Sequence, residues 1–392
     1  MSNIVDTELG KICSFQNGRA FKKSEWVEVG LPIIRIANLT SRYAAFNRFN
    51  GDYDSKILIQ NGDIIFSWSG SLKVEIWDRG NALLNQHLYK VGFKADVQKK
   101  WVYYLLLYSI SYLSKKMTGA TLQHVTKKEL VATPVSLPDI ATQNEIVSKL
   151  DQAFEAIDQA IANTEKNIEN VDELLKSSIN ALISNVSSNS IEMNLNDLTT
   201  KIGSGATPKG GKSSYKLEGI SLIRSMNVHD LRFKKKDLAF IDEYQADNLK
   251  NVTLEIGDVL LNITGASISR TCIVPTEVLS ARVNQHVSII RAKKDLIRPA
   301  FLNLMLYSQR YKNEILGIGE KGATRQAITK GQLESLNVKF PRSLDEQDIL
   351  IEKANYLLEK TRVSRILYEK KLNNLIELKM SILEKAFKGE LV

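Results

Sequence analysis

Two copies of an Asn-Gln-His triplet are the clearest candidates for chemistry in this sequence. They occupy positions 85–87 and 284–286. A histidine can move protons near neutral pH, but no serine or cysteine nucleophile and no carboxylate pair recurs beside both triplets. His124 and His229 have no counterparts in the other copy, which argues against a metal site. We therefore expect each triplet to fix a turn before a strand by hydrogen bonding, with contact to a nucleic-acid groove as the alternative.

A second candidate is the segment ATPKGGKS at positions 206–213, which matches a relaxed phosphate-binding loop. A working loop of that kind needs a buried strand before it and a helix that begins at the Lys-Ser pair. Here the strand-like residues 220–224 follow too closely for such a helix. The sequence therefore predicts a flexible basic loop that offers Lys209 and Lys212 to phosphates. A nucleotide-dependent hydrolase built on Lys212-Ser213 is the alternative.

The sequence predicts no catalytic residue, no metal and no cofactor. It contains no Asn-Pro-Pro-aromatic or Asp-Pro-Pro-aromatic tetrapeptide of an adenine methyltransferase, and no helicase motor. This chain is therefore expected to do no chemistry alone.

Both triplets belong to a duplication that spans most of the chain. Gly30–Asn38 reads GLPIIRIAN and Gly219–Asn227 reads GISLIRSMN. The Gly-Asp pair at 62–63 returns at 257–258, and Gly-Ala-Thr at 119–121 returns at 322–324. The order is kept while the offset grows, so the copies differ by loop insertions. A repeat of this length indicates two tandem domains and not a solenoid.

Each copy closes with the same succession of elements. Apolar helices are predicted at 100–116 and 299–316, and short strands follow near 131–137 and at 337–340. Long helices with apolar stripes come next. Their starts are predicted by Thr142-x-x-Glu145 and Ser343-x-x-Glu346, which have capping-box spacing.

These elements predict an α+β protein with four segments. Two mixed α/β domains occupy 1–141 and 190–343. The first long helix and a linker occupy 142–189, and the second long helix lies within 344–392. Stripes sustained over this length favour packing of one helix on the other. A pseudo-twofold relation between the copies predicts an antiparallel coiled coil, while a polar linker leaves a parallel pairing open. Helices of roughly 35 to 40 residues would be about 55 Å long.

Positive charge is concentrated in the two predicted domains. The net charge is +6 over residues 1–141 and +8 over 190–344, against −5 over 142–189 and 0 over 345–392. A polyanion is expected to meet the domains, because neutralised phosphates release counterions. Two cysteines at non-matching positions, no secretion signal and no apolar stretch of bilayer length indicate a cytoplasmic protein without a membrane segment.

The sequence resembles the specificity subunits of type I restriction–modification systems. The residues that carry the resemblance are GSGATPKG at 203–210, Leu222-Ile223-Arg224, Asn284-Gln285-His286-Val287, Gly322-Ala323-Thr324, PRSLDEQ at 341–347 and the tail 383–391. The resemblance implies two target-recognition domains separated by an antiparallel helical coiled coil. It also implies two methyltransferase (modification) subunits docked on the helices, and restriction subunits in the larger assembly. Copy one departs from the pattern, because QNGR at 16–19 replaces the usual Gly-Thr-Pro loop and Thr142 precedes Gln143 in place of an acidic residue.

We therefore expect a non-catalytic subunit that reads an asymmetric, bipartite sequence in double-stranded DNA, with one domain per half-site. Loop residues are predicted to contact the DNA: Arg19, Lys22, Lys23, Ser67, Ser69, Lys73, Gln123, His124, Lys209, Lys212, Ser267, Arg270, Arg325 and Gln326. Ile161 and Leu375 are predicted to hold the partner subunits. A coiled-coil scaffold without DNA affinity is the remaining alternative.

Overall fold

The computed structural model describes residues 4–117, 124–186, 189–320 and 327–391. The chain forms two compact units. Unit 1 comprises Met1–Glu165 and Lys370–Val392, and unit 2 comprises Lys166–Glu369. Each long helix therefore contributes to both units, and the four predicted segments stay a prediction.

Unit 1 is built around a four-stranded antiparallel sheet with the order β2-β9-β6-β7. A second sheet has the order β4-β3-β8-β5, in which β3 and β8 run parallel, and β1 pairs with β10. Its elements before the first long helix are β1 (Val5–Glu8), α1 (Leu9–Ile12), β2 (Cys13–Asn17), β3 (Leu31–Ile34), α2 (Ile36–Thr40), β4 (Asn47–Phe49), β5 (Leu58–Ile59), β6 (Ile64–Ser67), β7 (Lys73–Ile76), β8 (Ala82–Leu84), β9 (Leu88–Phe93), α3 (Lys99–Ser114), α4 (Lys127–Val131) and β10 (Pro134–Leu137).

Unit 2 repeats this topology. Its main sheet has the order β12-β20-β17-β18, a second sheet has the order β16-β13-β19 with β13 and β19 parallel, and β11 pairs with β21. Its elements before the second long helix are β11 (Ser190–Asn194), β12 (Thr199–Ser204), β13 (Ile220–Ile223), β14 (Val228–His229), β15 (Arg232–Phe233), β16 (Ala239–Ile241), α6 (Glu243–Asp247), β17 (Val259–Asn262), β18 (Thr271–Ile273), β19 (Arg282–Val283), β20 (Val287–Ala292), α7 (Pro299–Tyr307), α8 (Gln309–Glu320), α9 (Lys330–Glu334) and β21 (Asn337–Pro341).

One strand of each main sheet, β6 in unit 1 and β17 in unit 2, is buried on both faces. Successive residues of a strand point to opposite faces, so Ile64 and Phe66 of β6 join one apolar cluster and Ile65 joins another. The equivalent strand β17 does the same with Leu261 and Leu260. Double burial explains why both strands read as continuous apolar runs. The predicted duplication and fold class are confirmed.

Two long helices, α5 (Ile140–Ser184) and α10 (Leu344–Phe387), run antiparallel within each unit. In unit 1, Lys149 Nζ donates to Leu391 O at 2.6 Å, and Lys379 Nζ lies 2.5 Å from Asp158 Oδ1. Residues further along α5 therefore contact residues earlier along the second chain segment, so the two helices run in opposite directions. In unit 2, Arg365 Nη1 lies 2.5 Å from Asp172 Oδ2. The helices have 45 and 44 residues, longer than predicted.

The start of α5 differs from the predicted capping box. Asp139 Oδ1 accepts a hydrogen bond from the Thr142 amide at 2.8 Å, just before Ile140 opens the helix. Thr142 lies inside the first turn, so the prediction that it caps the helix is wrong. Asp139 is the stronger cap because its carboxylate precedes the first free amides. The second signal is confirmed, since the Glu346 amide donates to Ser343 Oγ at 3.4 Å at the start of α10.

The predicted apolar helix at 299–316 is two helices. α7 ends at Tyr307, Ser308 is extended, and α8 begins at Gln309, whose amide donates to Asn180 Oδ1 at 2.6 Å. The strand expected near 131–137 begins later, because Val131 still belongs to α4. Within the described residues, none of the helices has both the length and the apolar character that a bilayer crossing requires.

Candidate nucleic-acid interface

The Asn85-Gln86-His87 triplet of unit 1 forms a turn directly before β9. Leu88 N donates to Asn85 O at 3.1 Å, and His87 N donates to Asn85 Oδ1 at 3.5 Å. His87 Nδ1 lies 3.0 Å from Ser69 Oγ, and His87 Nε2 lies 3.3 Å from Gln86 Nε2. With Gln86 Nε2 as the donor, His87 Nε2 accepts and Nδ1 carries the proton. Both sides of the imidazole are engaged within the unit.

The second triplet repeats this geometry before β20. His286 N donates to Asn284 Oδ1 at 3.0 Å, and His286 Nε2 lies 3.2 Å from Gln285 Nε2. Thr264 takes the place of the serine, with Oγ1 2.6 Å from His286 Nδ1. In both units the imidazole N–H donates to the hydroxyl, which is the reverse of the direction that activates a serine nucleophile. The expected hydrogen-bonded turn before each strand is confirmed, and contact of the triplets with a nucleic-acid groove stays a prediction.

The backbone ties each turn to its surroundings in the same way. Asn85 N donates to Ile34 O at 3.1 Å, and Trp68 N donates to His87 O at 3.4 Å. Val125 N then donates to Trp68 O at 2.9 Å, which brings the chain before α4 to the turn. In unit 2, Ile328 N makes the matching bond to Ile263 O at 2.9 Å. The two sites are therefore one scaffold used twice.

A cleft of about 200 Å³ borders the triplet in unit 1. Its walls include Phe21, Trp26, Arg35, Gln86 and His87. The Arg35 guanidinium lies 5.5 Å from the centre of the Trp26 ring. The cleft thus combines aromatic rings, a fixed positive charge and amide groups, which suits a nucleobase and its phosphate.

A cleft of about 360 Å³ borders the triplet in unit 2. Its walls include Ser225, Thr264, Ser267, Arg270 and His286. Ser267 and Arg270 were predicted as contact residues, and the structure brings them together beside the histidine. The lining residues include no Phe, Tyr or Trp side chain, unlike those of the cleft in unit 1.

Sequence reasoning missed the repeated arginines, Arg35 and Arg224. Arg224 lies over the Tyr215 ring at 5.4 Å, as Arg35 lies over Trp26. Each is followed three positions later by a buried asparagine whose Oδ1 accepts from the arginine amide, at 3.0 Å for Asn38 and 3.1 Å for Asn227. The repeated Arg-x-x-Asn spacing was the signal that would have found them.

The loops held by these asparagines differ between the units. Asn38 Nδ2 donates to Ala44 O at 3.0 Å, in a loop whose Tyr43 is 98% exposed. Asn227 Nδ2 donates to Lys234 O at 2.9 Å, in a loop that exposes Lys234, Lys235 and Lys236. The same asparagine therefore supports an aromatic tip in unit 1 and a basic tip in unit 2.

The predicted contact residues of unit 1 fall into three groups. Lys22, Lys23 and Lys73 are exposed. Arg19 is half-buried, forms an ion pair with Glu25 and lies over the rings of Phe21 and Phe49. His124 is half-buried and lies beside Trp68, with ring centres 6.1 Å apart. Gln123 lies outside the described residues.

The two serines predicted on an exposed loop are fully buried. Ser67 ends β6, and its Oγ donates to Ser71 O at 2.9 Å. Ser69 Oγ is the partner of His87. The exposed placement is wrong because β6 is buried on both faces and the chain turns inward after it. A role of these serines in DNA contact stays a prediction.

In unit 2, Lys209 and Lys212 are exposed. The segment after the suspected phosphate loop is a single 3-10 turn, Gly211–Ser214, which leads to β13. The helix that nucleotide phosphates require is therefore not formed by these residues. Arg325 and Gln326 lie outside the described residues.

The two cysteines are buried thiols. Burial raises the pKa of Cys13 and of Cys272 to about 12 in each case, so both are protonated at neutral pH. Among the described residues, no group of three or more histidine, cysteine, aspartate or glutamate side chains is placed to hold a metal ion.

Comparison with known proteins decides the family. The type I restriction modification DNA specificity domain matches residues 1–170 and 188–378. The chain belongs to this family. The type I restriction enzyme EcoBI specificity subunit of Escherichia coli is 25% identical over 427 residues, covering 98% of this chain and 85% of the relative. The putative MjaX specificity subunit of Methanocaldococcus jannaschii is 23% identical over 155 residues, covering 39% of this chain and 36% of the relative.

A solved structure shares the fold of this specificity subunit. It comes from work on complex assembly and conformational transition of the type I restriction–modification system, and it superposes with a TM-score of 0.73 at 17% identity. The match covers 99% of this chain and 98% of that chain. The predicted family and function are confirmed: the protein is a type I specificity subunit with two target-recognition domains. The hydrolase alternative is not favoured.

Proposed function

We propose that each unit reads one half of a bipartite, asymmetric sequence in double-stranded DNA. The observation that carries this proposal is that the triplet turn recurs in both units while the cleft beside it changes. Unit 1 lines its cleft with Phe21, Trp26 and Arg35, whereas unit 2 uses Ser267 and Arg270. One scaffold with two sets of side chains suits a target with two unlike halves.

The predicted contact residues remain part of this proposal. The exposed lysines Lys22, Lys23, Lys73, Lys209 and Lys212 suit phosphate contact, because a mobile ammonium binds as a point charge. Phosphate contacts fix the register of the protein on the duplex, and base contacts supply the sequence. The net positive charge of the two globular segments supports contact with DNA phosphates.

Salt-dependent binding tests the proposal. We expect the purified chain, alone or with its partner subunits, to bind random duplex weakly, with an affinity that falls linearly as the logarithm of salt rises. A target duplex should bind more tightly at every salt concentration. Absence of salt-dependent binding in both preparations would favour the coiled-coil scaffold.

The long helices are proposed to hold two methyltransferase subunits, with restriction subunits completing the assembly. Ile161 and Leu375 are partly buried against the core of unit 1. On α10 within unit 2, Ile349, Tyr356 and Val363 are exposed and stand seven residues apart, which is the repeat that suits a partner helix.

Matched substitutions separate docking from folding. Ile161→Asp or Leu375→Asp is expected to release the methyltransferase or to destabilise unit 1, because both side chains touch its core. Ile349→Asp with Tyr356→Asp is expected to weaken co-purification at unchanged thermal stability. Lys353→Asp, an exposed lysine on the same helix, is the control. Undiminished co-purification of the Ile161, Leu375 and Ile349–Tyr356 variants contradicts the docking proposal.

The chain is further proposed to be non-catalytic and to act in the cytoplasm, where it meets cellular DNA. The buried thiols and the direction of the imidazole hydrogen bonds support the first point. Incubation of the purified chain with nucleotide or with DNA should yield no hydrolysis and no methylation without its partners.

A further inference from the structure

The side-chain oxygens of the two triplet glutamines differ in their partners. In unit 2, Thr207 Oγ1 donates a hydrogen bond to Gln285 Oε1 at 2.5 Å. In unit 1, Gln86 Oε1 is buried from solvent and accepts no hydrogen bond from the described residues. A buried hydrogen-bond acceptor without a donor is unfavourable. A ligand that supplies a donor to this atom would therefore bind with a lower free energy.

The missing donor is explained by one position. Gly18 follows β2 and Gly205 follows β12, and a Cβ on either would clash with the last backbone oxygen of β8 or of β19. The two glycines are therefore equivalent. Two residues later stand Ala20 in unit 1 and Thr207 in unit 2. Alanine has no hydroxyl, so unit 1 lacks the internal donor that unit 2 has.

The Gln86 amide turns its nitrogen towards the imidazole and its oxygen away from it. Its Nε2 donates to His87 Nε2, whose other nitrogen donates to Ser69 Oγ. The Trp68 indole N–H also donates to Gln86 O at 3.2 Å and fixes the backbone. Gln86 Oε1 is therefore a covered acceptor in the wall of the cleft, and a ligand reaches it when the side chains that cover it move aside.

The neighbours of this acceptor favour a nucleobase as the ligand. Phe21 and Trp26 give the cleft aromatic walls, and Arg35 places a positive charge beside them. Adenine N6 and cytosine N4 are the donors that base edges present in the major groove. We propose that Gln86 Oε1 accepts a hydrogen bond from the exocyclic amine of one adenine or cytosine in the half-site read by unit 1. This inference rests on the proposed function.

Deletion of single amines from the DNA tests the inference. Each adenine of the target duplex would be replaced in turn by purine, and each cytosine by pyrimidin-2-one, so that only the amine is lost. Binding of the full chain in complex with its methyltransferase would be measured for each duplex. In the wild type we expect one position in one half-site where the deletion weakens binding about 5- to 100-fold.

Two variants at Ala20 make the test specific. Ala20→Thr supplies the hydroxyl that unit 2 has, so it should weaken binding to the unmodified target and abolish the effect of deleting that amine. Ala20→Val has the shape of threonine without the donor and should keep the wild-type response to deletion. Thr207→Val, which frees Gln285 Oε1, should create a new dependence on one amine in the other half-site.

The outcomes separate this inference from the proposed function. In one outcome, the protein binds its target specifically while Ala20→Thr removes the effect of no amine deletion. That result overturns the inference and leaves the proposed function standing. Equal effects of Ala20→Thr and Ala20→Val also overturn it. Equal binding to target and random duplex contradicts the proposed function itself.

Discussion

Thr264 Oγ1 lies 2.6 Å from His286 Nδ1 in unit 2, and Ser69 Oγ lies 3.0 Å from His87 Nδ1 in unit 1. The hydroxyl differs in type between the copies, yet the imidazole is held in the same tautomer and the same turn. This relationship keeps the glutamine beside it at an equivalent place in both units. The scaffold is therefore the same in both units, while the side chains that line the cleft beside it differ.

Loss of the hydroxyl at Thr264 should destabilise unit 2. Thr264→Val keeps the shape but leaves the His286 N–H without its acceptor, which costs about 1–3 kcal/mol. Urea unfolding followed by a probe in unit 2 would measure the change. Thr200→Val is the control, because Thr200 is exposed and its hydroxyl contact is 3.5 Å long. Equal losses for both variants would contradict this role.

Removal of the Asn227 side chain should loosen the basic loop of unit 2. Asn227→Ala deletes the acceptor for Arg224 N and the donor to Lys234 O. Hydrogen exchange at residues 228–237 is expected to speed up by about tenfold or more, since a lost hydrogen bond to a buried amide is worth about 1–3 kcal/mol. Asn248→Ala, at an exposed helix end, is the control. Unchanged exchange in the Asn227 variant would refute the role.

Acid should weaken the start of α5 through Asp139. The Thr142 amide donates to the Asp139 carboxylate and lowers its pKa below the ordinary value of 3.8. Because the pKa of Asp139 is lower in the folded protein, its ionised carboxylate stabilises the fold above pH 3.8. This stability is lost as the pH falls through the pKa of the folded protein. Asp139→Asn keeps a capping oxygen without the charge.

Thermal unfolding over a pH series would measure this dependence. The Asp139→Asn protein should show a flatter loss of stability in acid than the wild type. Asp52→Asn, at an exposed loop position, is the charge-matched control and should follow the wild type. A parallel acid profile for Asp139→Asn would show that the cap does not titrate as expected.

The exposed lysines of the loop after β12 should act through phosphates. Lys209→Ala and Lys212→Ala are each expected to weaken binding to target and random duplex by the same factor and to reduce the salt slope by about 1. Lys371→Ala, on the exposed face of α10, removes the same charge and should leave the slope unchanged. A loss confined to the target duplex would instead indicate base contact.

Much of the fold was predictable because the sequence repeats itself. Strands buried on both faces read as apolar runs, as in Ile64–Ser67, and the long helices carry apolar stripes. The cap at Asp139 was missed because Thr142-x-x-Glu145 offers the same spacing three residues later. The break at Ser308 was missed because Leu304, Tyr311 and Ile315 keep a helical spacing across it.

The site was less predictable, because it depends on contacts between distant segments. Ser69 looks like a loop residue until β6 and the turn at His87 are paired in space. The difference between Ala20 and Thr207 has meaning only once the Thr207 hydroxyl is seen to bond to Gln285. Arg35 lies in a repeated segment, and the sequence alone does not show that its guanidinium reaches Trp26.

The methylated sequence produced by the assembled complex tests the central claim most directly. Genomic DNA modified by the methyltransferase with the wild-type chain, and with variants at Ala20 in unit 1 or Arg270 in unit 2, would be sequenced for methylated positions. We predict a target in two unlike halves, with the Ala20→Thr variant relaxing one half only and the Arg270→Ala variant relaxing the other only. A single continuous target, or changes in both halves from one substitution, would contradict the account.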